Sequence, residues 1–335
     1  MRKFLNTLYV TQDTAYLALD GENLVVLKDG KEIYRTPFCN IEGIVCFSYP
    51  GCSPALMAKC AEESISLNFV SPYGKFLARV TGKIRGNIVL RHTQLKKFDD
   101  ADFCLDLAKI VITKLFNCKS LLYRHARDYN NTDLAAAVET MQANIESING
   151  VADIDSLRGI EGESARIYFL VFDKMILNRD FSFNGRTKRP PLDEVNCLLS
   201  FVYTLLNLDV VSALETVGLD PYAGFMHAER SGRASLASDM IEELRVLADK
   251  FVLNLVNLKI MTKQDFFIKE DGSVLMTDES RRKLLKHWQE KKKEEFYHDV
   301  IGEKIEYGLL PYVQAQILAR FLRGDIKNYM PYLNE

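Results

Sequence analysis

The chain opens on short alternations of apolar and polar positions. Leu8, Val10, Tyr16, Leu17 and Leu19 fall in such runs, which predicts strands with one buried face. Asp20-Gly21-Glu22-Asn23 marks a turn, LVVL at 24–27 a further strand, and Lys28-Asp29-Gly30-Lys31 a second turn. Thr36-Pro37-Phe38 breaks the rhythm, and IEGIVCF at 41–47 reads as a buried strand. Pro54 opens a stretch, PALMAKCAEESI, whose apolar positions recur at helical spacing. LNFV at 67–70 and FLARV at 76–80 return to strand character around Pro72-Tyr73-Gly74. From about residue 94 the period changes. Leu105, Leu107, Ile110, Val111, Leu115, Leu121 and Leu122 recur at three- and four-residue steps, as do Leu134, Val138, Met141, Ile145 and Ile148. The helical pattern then runs through most of the remaining chain. It pauses at a basic, Pro-rich loop (179–191), a Gly-rich polar loop (218–235) and a short hairpin near 268–277. A strand block followed by a helix block predicts an α+β chain: a β-rich domain over 1–85 and a helical domain over 86–335, with the boundary within 80–97.

The length of 335 residues suits two domains, and 47% apolar with 26% charged residues is ordinary for a packed globular chain. The net charge of −2 does not advertise nucleic-acid binding, so a DNA site would have to be a local basic patch. Seven cysteines without a C-x-x-C pair argue against a zinc ribbon or a disulfide framework and suit buried thiols in a reducing cytoplasm. The N-terminal residues lack the apolar core of a signal peptide, and no uncharged apolar run reaches the length of a membrane span. A cytoplasmic protein is expected.

Three segments could carry chemistry. Gly159-Ile160-Glu161-Gly162-Glu163-Ser164-Ala165 sets an acidic residue among small ones early in an apolar helix, where another backbone or a ligand can approach closely. His227 lies in the Gly-rich run Ala223-Gly224-Phe225-Met226-His227. Asp239 and Glu242 are three apart and share one helix face. Each has a plainer reading: solvated acids at a loop–helix junction, a structural histidine, and acids near a helix start capped by Ser235 or Ser238. Two carboxylates and an imidazole can together hold a hard or borderline divalent cation, but spacing does not show that they meet.

At this point the chain resembles a known family, the CRISPR-associated integrase, the larger of the two core proteins of spacer acquisition. The likeness is carried by MRKFLNTLYV, LNFVSPYGKFLARVTG, LRGIEGESARIYF, RPPLDEVNCLLSFVYTLL and GLDPYAGFMHAERSGRASLASDMIEELR, and the last three in this order are the most specific. The N-terminal wording looks most like the subtype I-C form. The resemblance implies a β-sandwich-like N-terminal domain used for dimerisation, followed by an all-α catalytic domain. It places the family's metal-binding glutamate on Glu161, its histidine on His227 and its third ligand on Glu242, with Asp239 and Asn196 close behind. Arg233-Ala234 and Val246 stand where prolines are common in the family, which bears on loop geometry rather than on the ligands.

The implied activity is that of a metal-dependent endodeoxyribonuclease and DNA integrase. A 3′-hydroxyl of new spacer DNA would attack a phosphodiester of the CRISPR array, with Mg²⁺ or Mn²⁺ as cofactor. The implied partners are double-stranded and branched DNA, a second copy of the chain, and a small ferredoxin-like adaptation subunit. Expected DNA contacts are Arg186, Lys188 and Arg189, with Arg230 and Arg233 beside His227. Arg281-Arg282-Lys283 and Lys291-Lys292-Lys293 are a further basic stretch, for which an ion-paired face is an equal reading. Two competing functions are a DNA-binding scaffold without catalysis and a metal-dependent hydrolase of small phosphoesters.

Overall fold

The computed structural model describes residues 6–82, 88–112, 114–228 and 230–333. In chain order its regular elements are β1 (Thr7–Val10), β2 (Tyr16–Asp20), β3 (Asn23–Lys28), β4 (Lys31–Pro37), β5 (Gly43–Cys46), α1 (Pro54–Glu63), β6 (Ser66–Val70) and β7 (Phe76–Val80). Helices follow: α2 (Ile88–Phe98), α3 (Ala101–Ile112), α4 (Lys114–Tyr129), α5 (Thr132–Ser147), α6 (Ile154–Leu170), α7 (Glu194–Val217) and α8 (Ser235–Asn257). The chain then forms β8 (Phe266–Ile268), β9 (Val274–Met276), α9 (Asp278–Lys293), β10 (Glu295–His298), β11 (Glu303–Glu306) and α10 (Leu310–Arg323). The fold is mixed α+β, with strands first and helices after.

Two compact units emerge, one of residues 1–85 with 276–310 and the other of 86–275 with 311–335. The break itself lies among residues 83–87, outside the described residues. The stretch 276–310, expected with the helical domain, groups with the N-terminal strands instead. Arg281 is the physical reason. Its side chain is buried, donates from Nη1 to the Pro72 carbonyl at 2.8 Å and pairs with Asp278 at 2.9 Å. This basic position is a tertiary anchor. Lys291 likewise pairs with Glu294 and Lys292 is buried, so the basic stretch of α9 is an ion-paired structural face.

The first unit holds a four-stranded sheet in the order β1-β5-β6-β7 and a three-stranded meander β2-β3-β4. β1, β5 and β6 run parallel, and β7 closes the edge antiparallel to β6. Leu17, Leu24, Ile44, Leu56, Cys60 and Leu67 form a core shared by both sheets and α1. Ser53 accepts a bond from the Leu56 N–H and Pro54 fills the first helical position, which starts α1 where the sequence placed it.

In the second unit α7 and α8 pack side by side along their lengths. Helix α7 starts on the Asp193 side chain, which accepts from the Asn196 N–H, and ends on left-handed Gly218. Among the described residues it alone is long and apolar enough to cross a membrane, and most of its apolar stretch is packed inside this unit.

Candidate active site: a cleft lined by two helices and two loops

The site is assembled in the second unit from four segments. Helix α6 carries Glu161. Its start on Asp153, whose carboxylate accepts from the Ser156 N–H at 2.8 Å, puts Glu161 well inside the helix and not at the expected loop–helix junction. The loop after α7 carries His227, and α8 carries Asp239 and Glu242. No side chain caps α8, so neither Ser235 nor Ser238 has the capping role expected of it. The loop before α7 brings Gly185, Arg186 and Lys188.

Glu161, His227 and Glu242 all line one cleft of about 690 Å³, with Gly162, Ala165 and Arg233 also on its wall. Arg186, Lys188 and Arg245 line it too. Three acid and imidazole groups from distant parts of the chain therefore face a common space edged by cations. Among the described residues, Arg189 and Arg230 are exposed and do not line the cleft.

The His227 loop is fixed by one buried carboxylate. Asp239 is 2% exposed. Its Oδ2 accepts from the backbone N–H groups of Phe225 at 2.7 Å and Met226 at 3.0 Å, and its Oδ1 from that of His227 at 3.0 Å. The same Oδ1 lies 2.7 Å from His227 Nδ1. An ionised carboxylate only accepts, so Nδ1 is the donor, an arrangement that in a neutral ring leaves the lone pair on Nε2. This is the second bond that metal-ligating histidines ordinarily make. Gly224 makes the loop's approach to α8 possible. A Cβ there would lie 2.6 Å from the Ser235 carbonyl carbon and 2.8 Å from Asp239 Oδ2.

Glu242 is 4% exposed and accepts from Arg245 Nη2 at 2.7 Å. Burial is the largest influence on the Arg245 charge and works against it, but the Glu242 carboxylate together with Tyr203 and Asp249 outweighs it and raises the guanidinium pKa. Lys188 is exposed as a residue. Partial loss of hydration first, and then the Arg245 and Arg186 charges, still lower its pKa, while Glu242 and Glu161 act the other way. Asn196 is fully buried and does not line the cleft. It braces the loop instead. Its Oδ1 accepts from Arg186 Nη1 at 2.7 Å and Thr187 N–H at 3.0 Å, and its Nδ2 donates to the Gly185 carbonyl at 2.8 Å.

Among the described residues, no three His, Cys, Asp or Glu side chains stand close enough to hold a cation as they are. The donor set nonetheless fits a hard divalent ion in kind: two carboxylates and an imidazole with its far nitrogen already engaged. The ion pair of Arg245 and the packing role of Gly224 are not read from the sequence, although Gly224 stands in the Gly-rich run that carries His227. Only the three-residue step from Glu242 to Arg245, an ion-pair spacing on a helix, could have signalled either of them.

Comparison with known proteins places the chain in a family. The family model described as CRISPR associated protein Cas1 matches residues 8–290. A Chlorobaculum tepidum protein named CRISPR-associated endonuclease Cas1 1 is 44% identical over 341 residues, covering 99% of each chain. A structure titled as a casposase bound to integration product has a TM-score of 0.85 at 20% identity, covering 97% of this chain and 93% of that one. The Cas6-RT-Cas1–Cas2 complex gives a TM-score of 0.84 at 23% identity, covering 98% of this chain and 36% of that one. The chain belongs to the Cas1 family, and the solved structures share its fold.

Proposed function

We propose that this chain is a metal-dependent DNA endonuclease and integrase of CRISPR spacer acquisition, in its subtype I-C form, with Glu161, His227 and Glu242 holding the metal. The reading is carried by one observation: these three residues, from three separate segments, line a single cation-edged cleft. The donor set suits Mg²⁺ or Mn²⁺, which when bound supplies Lewis-acid stabilisation of charge on a reacting phosphodiester. The reaction is a transesterification. The bond from an incoming 3′-oxygen to phosphorus forms as the bond to the departing 3′-oxygen breaks, and the proton lost by the first hydroxyl balances the one gained by the second. No protein nucleophile is needed. The chain's own part is positional: Asp239 fixes the His227 ring, Asn196 fixes the Arg186 loop, and Lys188 and Arg233 meet DNA phosphates.

The name of the Chlorobaculum relative and the titles of the casposase and Cas1–Cas2 structures support nuclease and integration activity. We extend this to a cytoplasmic homodimer formed through the β-rich unit, in complex with a small ferredoxin-like adaptation subunit. Exposed Ile33 and Tyr34 on edge strand β4 favour that dimer surface. The Glu242–Arg245 pair is what a scaffold reading would rest on, because that carboxylate is already engaged.

The test is joining of a short duplex with free 3′-hydroxyls into supercoiled DNA, with Mg²⁺, with Mn²⁺ and with chelator, alone and with the small subunit. Metal-dependent joining supports the enzyme. DNA binding without joining in any metal moves the chain to the scaffold, and competition by small phosphoesters would point to the third reading.

A further inference from the structure

Two of the cleft's cations share a support that the metal ligands do not use. The Arg186 guanidinium lies 5.4 Å from the centre of the Tyr203 ring on α7, and that of Arg245 lies 5.6 Å from the same ring. The Tyr203 hydroxyl donates to Asp249 Oδ1, and the Tyr168 hydroxyl donates to Asp249 Oδ2 at 2.9 Å. Asp249 on α8 is fully buried, and Tyr168 on α6 nearly so. One carboxylate thus ties together the three helices behind the cleft wall.

Two guanidiniums on one ring repel each other unless something offsets their charge. The ring face attracts both. The Asp249 carboxylate, hydrogen-bonded to that ring's hydroxyl, supplies the counter-charge. Arg186 Nε and Arg245 Nε are buried without a hydrogen-bond partner among the described residues. Each head is therefore oriented through its outer nitrogens and through the ring. Arg186 uses Asn196 and Ser200, and Arg245 uses Glu242. Burial raises the Asp249 pKa to about 6 against the hydrogen bonds of both tyrosines, so its charge is costly to keep there. A buried charge with no other neighbour to serve is an expensive way to join helices. A charge that holds a cation pair on a cleft wall has a use.

We infer that Tyr203, locked by Asp249, is a positioning residue that presents Arg186 and Arg245 as a guanidinium pair to a phosphate of the DNA strand in the cleft. This role rests on the DNA reading above. The aromatic ring is the operative part and its hydroxyl the lock.

The experiment uses the full chain and the same joining assay, together with DNA affinity across a salt series, for wild type, Tyr203→Leu, Tyr203→Phe, Asp249→Asn and Arg186→Ala. In Tyr203→Leu, KM for DNA rises about tenfold with little change in kcat. Its salt slope falls by about one to two, since each aligned phosphate contact contributes about 0.9. Tyr203→Phe keeps the ring but loses its lock on Asp249, and its slope falls between those of wild type and Tyr203→Leu. Adding Tyr203→Leu to Arg186→Ala costs less than Tyr203→Leu alone, because both act on one contact. A merely structural tyrosine would lower the active fraction, and so the apparent kcat, leaving KM and slope unchanged, and that outcome overturns the role. If Tyr203→Leu does not fold, Asp249→Asn carries the test: a reduced slope supports the role and an unchanged one overturns it. A wild type that neither joins DNA nor binds it in a salt-dependent way overturns the DNA reading and this role with it. An active wild type matched by Tyr203→Leu overturns the role alone.

Discussion

His227 Nδ1 lies 2.7 Å from Asp239 Oδ1, and the same oxygen accepts the backbone N–H of His227 at 3.0 Å. Asp239 therefore sets both the position of the loop and the tautomer of the ring. Replacing such a supporting carboxylate typically costs 10–100-fold in metal affinity or activity. Asp239→Asn is expected to lose about that factor in joining rate. Titration of Mn²⁺ into the folded variant should show weakened binding. An unchanged affinity and rate would remove Asp239 from the site.

Gly224 should not tolerate a side chain. Its Cβ would meet the start of α8 and the Asp239 carboxylate below 3 Å. Gly224→Ala is expected to destabilise the chain by about 1–3 kcal/mol, the usual range for overpacking, and to reduce joining by displacing His227. Thermal unfolding and the joining rate measured side by side would check both effects.

Glu243 sits beside Glu242 but points elsewhere. It is 1% exposed and accepts from Tyr329 Oη at 2.6 Å, Gln314 Nε2 at 2.8 Å and the Tyr332 N–H at 3.2 Å, anchoring the C-terminal segment. Burial pushes its pKa up to about 7 despite these donors. A carboxyl raised in the fold binds its proton more tightly there than in the unfolded chain. Its stabilisation is thus complete below the ordinary glutamate value of about 4.3 and is lost as pH rises through about 7. Glu243→Gln should flatten the fall in melting temperature between these two values. An equally steep fall in the variant would mean that another group is responsible.

The basic residues divide into two kinds with opposite signatures. Lys188 and Arg233 line the cleft, and removing either should lower the salt slope of DNA affinity by about 1 while leaving stability nearly unchanged. Arg281 is buried and ion-paired, so Arg281→Ala should destabilise the chain and leave the slope alone. Salt titrations with melting curves on the same samples would separate them.

These contrasts show what was legible before the structure. Strand and helix periods survive in sequence because each face repeats locally, so β3, α1, β6 and β7 fall where the strand runs and Pro54 place them. Arg281 reads as one more surface cation, because nothing local says that it folds back onto the Pro72 carbonyl. The β10–β11 hairpin reads in the sequence as a continuation of the helical pattern, its strands being only four residues each. Glu161, His227 and Glu242 each have a bland local explanation, and only their resemblance to a family's ordered segments joined them. Their place on one cleft is a tertiary fact, as is the support that Asp249 gives two arginines from other elements.

The central claim is that Glu161, His227 and Glu242 act as one metal-holding site. It is tested most directly by single-turnover joining of a 3′-hydroxyl duplex into supercoiled DNA in Mn²⁺ and in Mg²⁺, comparing wild type with Glu161→Gln, His227→Ala and Glu242→Gln, each verified as folded. The account predicts joining by the wild type that chelator abolishes, and loss to background in all three variants with DNA affinity largely retained. Full joining by any one folded variant would contradict the claim for that residue, and joining that survives chelation would contradict it for all three.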